Sequence, residues 1–148
     1  MTARDDDERL DRYQRPWPMR LMRGTAALLL LDTLVQAVLA GLFVTGDLDL
    51  LAWHAANAGV LSALTVIQTV LAVVVWRRLR GPGWPAAASA ALVGLVSVQQ
   101  GLGEARVLAG HMPVGMAIFG CATALTYWAF TARIQPAVQV GRSVGVAE

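Results

Sequence analysis

The sequence predicts an all-α integral membrane protein: an antiparallel bundle of four transmembrane helices with both termini on the cytoplasmic side. Three observations carry this expectation, namely composition, the spacing of apolar runs and the positions of the arginines. Of 148 residues, 56% are hydrophobic and only 15% are charged, against about 25% charged in ordinary soluble domains. A chain this short cannot hide so much apolar surface in a soluble fold, because small domains leave a large share of their surface in water. Each span takes about 20 apolar residues, so the length holds four spans and few more. A disordered chain, a disulfide scaffold and a typical soluble enzyme are excluded on the same grounds.

Residues 1–22 read as a polar cytoplasmic tail. There Asp5, Asp6, Asp7 and Glu8 are interleaved with Arg4, Arg9, Arg12 and Arg15, the make-up of a solvated, weakly ordered segment. The transmembrane domain covers 23–133. Its first apolar run is about 24–46 and ends at the polar turn Gly46-Asp47-Leu48-Asp49. This run exceeds the apolar core of a signal peptide and follows a long tail, so it reads as a retained helix. The second run, about 50–76, stops at Arg77-Arg78-Leu79-Arg80, after which Gly81-Pro82-Gly83 breaks the chain. The third covers about 84–105. A short link leads to the fourth, about 111–132, and 134–148 form a second cytoplasmic tail. No run alternates with period two, which argues against a β-barrel.

All 12 basic residues are Arg. Arg20 and Arg23 precede span 1, Arg77, Arg78 and Arg80 join spans 2 and 3, and Arg133 follows span 4. The other two links hold only Arg106. Positive charge marks the cytoplasmic side, so the termini and the link 2–3 lie inside and the links 1–2 and 3–4 outside. Trp17, Trp53, Trp76, Trp84 and Trp128 fall near the predicted interfaces, where indoles concentrate. The pI near 9.3 follows from this topology and does not point to nucleic acid. The expected location is a bacterial cytoplasmic membrane, crossed several times and surrounded by lipid.

The two histidines are the most informative residues. His54 opens span 2 and His111 opens span 4, and both spans run from outside to inside, which puts the two rings at similar depth in the outer leaflet. In a bundle with short links, spans 2 and 4 sit diagonally, so two imidazoles can face each other across the core and ligate one haem iron axially. Ala58 and Gly115 each follow a His by four residues and so share its helical face. Small side chains there leave room for a flat macrocycle. Gly41, Gly101 and Gly103 lie in the outer half of spans 1 and 3, and Arg106 at the outer rim suits a propionate. Zinc is disfavoured, since it takes three or four protein ligands. Cys121 is the single cysteine, so there is neither an intrachain disulfide nor a c-type attachment motif, and the expected cofactor is haem b.

Other polar residues lie within the spans. Asp32 is placed in the inner part of span 1, with Gln68, Ser89 and Tyr127 at similar depth, a set read as a hydrogen-bonded cluster fixing helix register. Glu104 lies near the outer end of span 3.

Span 3 and the following link read Gln99-Gln100-Gly101-Leu102-Gly103, then His111-Met112-Pro113. This resembles the Gln-x-x-Leu-Gly…His pattern in one four-helix half of haem A synthases. In that family each half carries one His on its second helix and one on its fourth. The stretch Val35-Gln36…Ala40-Gly41-Leu42-Phe43, followed by a His opening span 2, also resembles small four-span bacterial membrane proteins. The resemblance covers about 24–133 and implies His54 and His111 as axial ligands. In the catalytic half of the family a Glu stands three residues before the second-helix His. Here that position is Leu51, and the family's outer-loop cysteine pair is missing. The resemblance therefore implies a haem-holding unit and no methyl oxidation of haem.

The expected function is haem b binding for electron transfer or haem handling. It is served by an outer-side redox partner, a quinone, or a second subunit that is either another copy or part of a membrane complex. The alternatives are a cofactor-free accessory or scaffold subunit of a larger membrane complex, and a small four-helix transporter protomer with Asp32 and Glu104 as coupling residues.

Overall fold

The structure is a computed structural model that describes residues 17–133. The acidic and basic residues at 4–15 and the tail at 134–148 lie outside the described residues. Those described form four helices and no strand: α1 (Trp17–Val44), α2 (Asp49–Leu79), α3 (Trp84–Glu104) and α4 (Leu108–Thr131). All four are long and apolar enough to cross a membrane.

The helices follow the apolar runs, with one difference at the start. α1 begins at Trp17, several residues before the first apolar run, inside the segment read as a polar tail. Hydropathy marks the edge of the hydrocarbon, whereas a helix continues wherever the backbone can. Pro18 at the first turn is already set for helical φ. Met19 and Met22 are buried against Ala72, Val75 and Ala86, so packing extends the helix beyond the apolar run.

α1 packs on α2 and α4, and α3 packs on the same two helices, while the diagonal pairs do not approach as closely. Hydrogen bonds mark each level of the bundle. Near the terminal end, Arg23 Nε donates to the Ala129 carbonyl at 2.7 Å and Arg23 Nη2 to that of Ala132 at 3.2 Å. A guanidinium there meets the unpaired carbonyls at the end of α4 and the negative end of its dipole. Slightly deeper, Thr25 Oγ1 donates to Gln68 Oε1, and Thr126 Oγ1 donates to the Ala26 carbonyl at 3.0 Å. Toward the opposite end, Gln100 Nε2 donates to the Ala58 carbonyl at 2.9 Å and to Ser62 Oγ at 2.6 Å.

The core has two apolar layers. Met19, Met22, Ala72, Val75 and Ala86 form one near the terminal end. Leu29, Leu61, Leu92, Val96, Ile118, Ala122 and Leu125, drawn from all four helices, form the middle. Many buried positions are Ala, which lets helices approach closely where hydrophobic exclusion supplies no drive. The outer surface is apolar as well, including Leu28, Leu31, Val38, Val70, Met116 and Phe130. A helix apolar all round fits a lipid surround.

Candidate functional site

Beyond the middle layer, at the end that carries the links α1–α2 and α3–α4, the core turns polar. His54 lies in the second turn of α2 and His111 in the first turn of α4. Their ring centres are 6.2 Å apart with the planes tilted by 57°. The residues that continue each histidine's face, Leu61, Thr65 and Gln68 on α2 and Ile118, Ala122 and Leu125 on α4, are buried. Both histidines therefore look inward, on the diagonal pair of helices.

Each ring is braced in the same way by the preceding helix. His54 Nδ1 lies 3.2 Å from the backbone carbonyl of Gln36 on α1. His111 Nδ1 lies 2.9 Å from the backbone carbonyl of Gln99 on α3. A carbonyl oxygen only accepts, so Nδ1 is the protonated nitrogen in both rings. The neutral tautomer then leaves the lone pair on Nε2. Among the described residues no hydrogen bond engages Nε2 of either ring. This is the arrangement of metal-binding histidines, which donate their second N–H to a carbonyl or carboxylate that fixes ring and tautomer.

The surroundings tighten the positions. A Cβ at Gly103 would stand 3.1 Å from His111 Cε1 and 3.2 Å from Nδ1, so a side chain there would press the ring away from its place against α3. The Phe43 ring meets His54 edge-on at 5.5 Å between centres. Gln36 also donates through Nε2 to the His54 backbone carbonyl at 3.1 Å and accepts at Oε1 from Asn57 Nδ2 at 3.0 Å. Gln36 thus holds His54 from both the ring and the main chain.

The remaining expected site residues are distributed as follows. Ala58 sits one turn after His54, its carbonyl taken by Gln100 and by Ser62 Oγ. Gly115 sits one turn after His111, and the Gln99 amide lies over it: a Cβ at 115 would come within 3.0 Å of Gln99 Nε2. Gln99 Oε1 is buried without a hydrogen-bond partner. Arg106 lies exposed in the α3–α4 link with a left-handed φ of 57°. Gly41 and Gly101 have open space where a Cβ would be. Glu104 is exposed at the end of α3.

The predicted cluster of Asp32, Gln68, Ser89 and Tyr127 does not form. Gln68 pairs with Thr25, Tyr127 is 72% exposed, and Ser89 Oγ is buried without a partner. Asp32 instead lies beside Asn57, and its Oδ2 is buried without a hydrogen-bond partner. Equal depth does not fix the direction in which a side chain leaves its helix. Asn57 escaped the sequence reading, although its spacing of three from His54 puts it on nearly the same face.

With one metal on the line between them, two imidazoles bonded at about 2 Å through nitrogens ~1.1 Å from the ring centres have those centres roughly 6 Å apart. The observed 6.2 Å matches that span. No group of three or more His, Cys, Asp and Glu side chains fit to hold a metal occurs among the described residues. Two imidazoles with Nε2 free are a donor set suited to a haem iron. Comparison with protein-family models, curated proteins and solved structures finds no match to this chain.

Proposed function

We propose that this chain is an antiparallel four-helix protein of a bacterial cytoplasmic membrane, with both termini cytoplasmic, that holds one haem b between His54 and His111. The observation that carries the reading is the pair of rings 6.2 Å apart, each with Nδ1 tied to a backbone carbonyl. That bond makes Nε2 the free ligand atom and prevents the ring from turning. In a low-dielectric surround it also raises the basicity of the ligating nitrogen.

Bound there, haem supplies one-electron chemistry. The chain's own residues do the holding. Gln36 and Gln99 orient the two imidazoles through their carbonyls, and Gly103 lets His111 lie flat on α3. Ala58 and Gly115 keep the adjacent turns small. The Gln99 side chain over Gly115 gives up no bond at Oε1 when it moves aside, so that space is cheaply cleared. Arg106, exposed at the same end of the bundle, is placed to receive a propionate.

The depth of the pair decides the role. With both ligands in the outer leaflet of an apolar core about 30 Å thick, one haem does not connect the two faces. The electron therefore arrives from, or leaves to, an outer-side partner, a quinone, or a second subunit in the membrane. Leu51 stands where the resemblance to haem A synthases calls for a Glu, so the reading is electron transfer or haem handling and not oxidation of the haem methyl. Purified protein carrying His54→Ala or His111→Ala tests the reading. Each variant should lose the six-coordinate, low-spin spectrum, and retention of it by both would remove these residues as ligands.

A further inference from the structure

Asn57 is half-buried on α2, three residues after His54 and one turn along nearly the same face. It touches neither imidazole through a hydrogen bond, but it completes a bracket around one of them. The centre of the bracket is the side-chain amide of Gln36 on α1. Gln36 Nε2 donates to the His54 main-chain carbonyl at 3.1 Å. A carbonyl only accepts, so Nε2 is fixed on that side and Oε1 faces Asn57, where it accepts from Nδ2 at 3.0 Å. The partners thus set the orientation of both amides.

We infer that Asn57 is a positioning residue for His54, acting through the Gln36 amide. The main chain of the same Gln36 supplies the carbonyl that lies 3.2 Å from His54 Nδ1. Two side-chain bonds, one turn apart on α2, fix how α1 sits against α2 at this level, and so where that carbonyl stands relative to the ring. Without the Asn57 donor the amide is tied to α2 at one atom instead of two, and its Oε1 loses its partner. Interhelical hydrogen bonds have this role in membranes, where exclusion of water gives helices no drive to associate.

The second hairpin supplies the contrast. There the Gln99 carbonyl braces His111, but the residue three beyond His111 is Val114. Val114 packs against the apolar middle layer and has no side-chain donor to offer. Gln99 Oε1 is buried without a partner. The brace on His54 therefore has a third member and the brace on His111 does not. Removing Asn57 should disturb His54 and leave His111 as it is, whereas a general loss of packing would disturb both.

The test reads the ring nitrogens. The chain has two histidines, so labelling histidine nitrogen for magnetic resonance gives two sets of ring signals, recorded on the full chain in phosphatidylcholine nanodiscs without haem. In the wild type both rings should carry the proton on Nδ1. In Asn57→Leu, His54 should lose that single form and show a mixture of the two tautomers, with His111 unchanged. Gln36→Leu removes the amide and keeps the main-chain carbonyl. It should act in the same way, and it keeps the test decisive if Asn57→Leu fails to fold. The double variant should be no worse than Gln36→Leu alone, because both changes disable one device. Unchanged His54 signals in either folded variant would overturn the inference, as would equal changes at both histidines or additive effects in the double variant. The purpose of the positioning rests on the haem reading above. In haem titration Asn57→Leu should weaken affinity by roughly tenfold, the lower end of the loss when an outer partner of a metal-bound histidine is removed. A wild type that binds no haem would remove the haem reading and leave the ring signals to decide this one.

Discussion

His54 and His111 stand with ring centres 6.2 Å apart on the two helices that face each other diagonally. Each is braced by a glutamine carbonyl from the helix before it in the chain. The bundle is thus two similar hairpins, α1–α2 and α3–α4, each presenting one imidazole with Nε2 free. Four consequences can be measured.

Gly103 is the glycine that the His111 ring lies against, with a Cβ there coming within 3.1 Å of the ring. Gly103→Leu should displace the His111 ring and break its 2.9 Å bond to the Gln99 carbonyl. Loss of such an orienting contact costs about 10–100-fold in metal affinity, so haem affinity should fall by that order. Gly101→Leu, where a Cβ meets nothing, should leave affinity unchanged. Equal losses in the two variants, measured by haem titration, would contradict the packing described for His111.

Arg23 ties the start of α1 to the end of α4 through two carbonyls. Hydrogen bonds to a charged group contribute about 1.5–3 kcal/mol each. Arg23→Ala should therefore lower stability in detergent by about 3 kcal/mol or more without changing the spectrum, because the tie lies at the end remote from the histidines. Chemical denaturation followed by circular dichroism measures the first effect, and absorption measures the second.

Topology follows from the arginines. A phosphatase reporter fused after Gly46, in the α1–α2 link, should be active outside the membrane. The same reporter after Arg133 should be inactive, and the reverse pattern would place the histidines in the inner leaflet.

The proposed haem-holding role carries its own prediction. In a strain lacking haem A synthase, expression of this chain should yield no haem A, since Leu51 puts no carboxylate three residues before His54. Chromatography of extracted haems decides, and the appearance of haem A would make the chain an enzyme.

The helices and the histidine pair were legible in the sequence because apolar runs and polar exceptions to them are visible residue by residue. Span length located α2, α3 and α4 to within a few residues. The start of α1 was hidden, because Met19 and Met22 belong to the helix through packing and not through hydropathy. The braces on the rings were hidden for a different reason. They are main-chain carbonyls, which every residue has, and only geometry shows that those of Gln36 and Gln99 are the ones used. The partner of Asp32 was misjudged as well. Depth put it with Gln68 and Tyr127, but rotation about the helix axis turns Tyr127 outward and sets Asp32 beside Asn57.

The absorption spectrum of the purified wild-type chain during titration with haem b tests the central claim most directly. The expected result is a single saturating transition at one haem per chain, giving a six-coordinate, low-spin species in both oxidised and reduced states. A spectrum that remains that of free or five-coordinate, high-spin haem at saturation would contradict a haem held between His54 and His111.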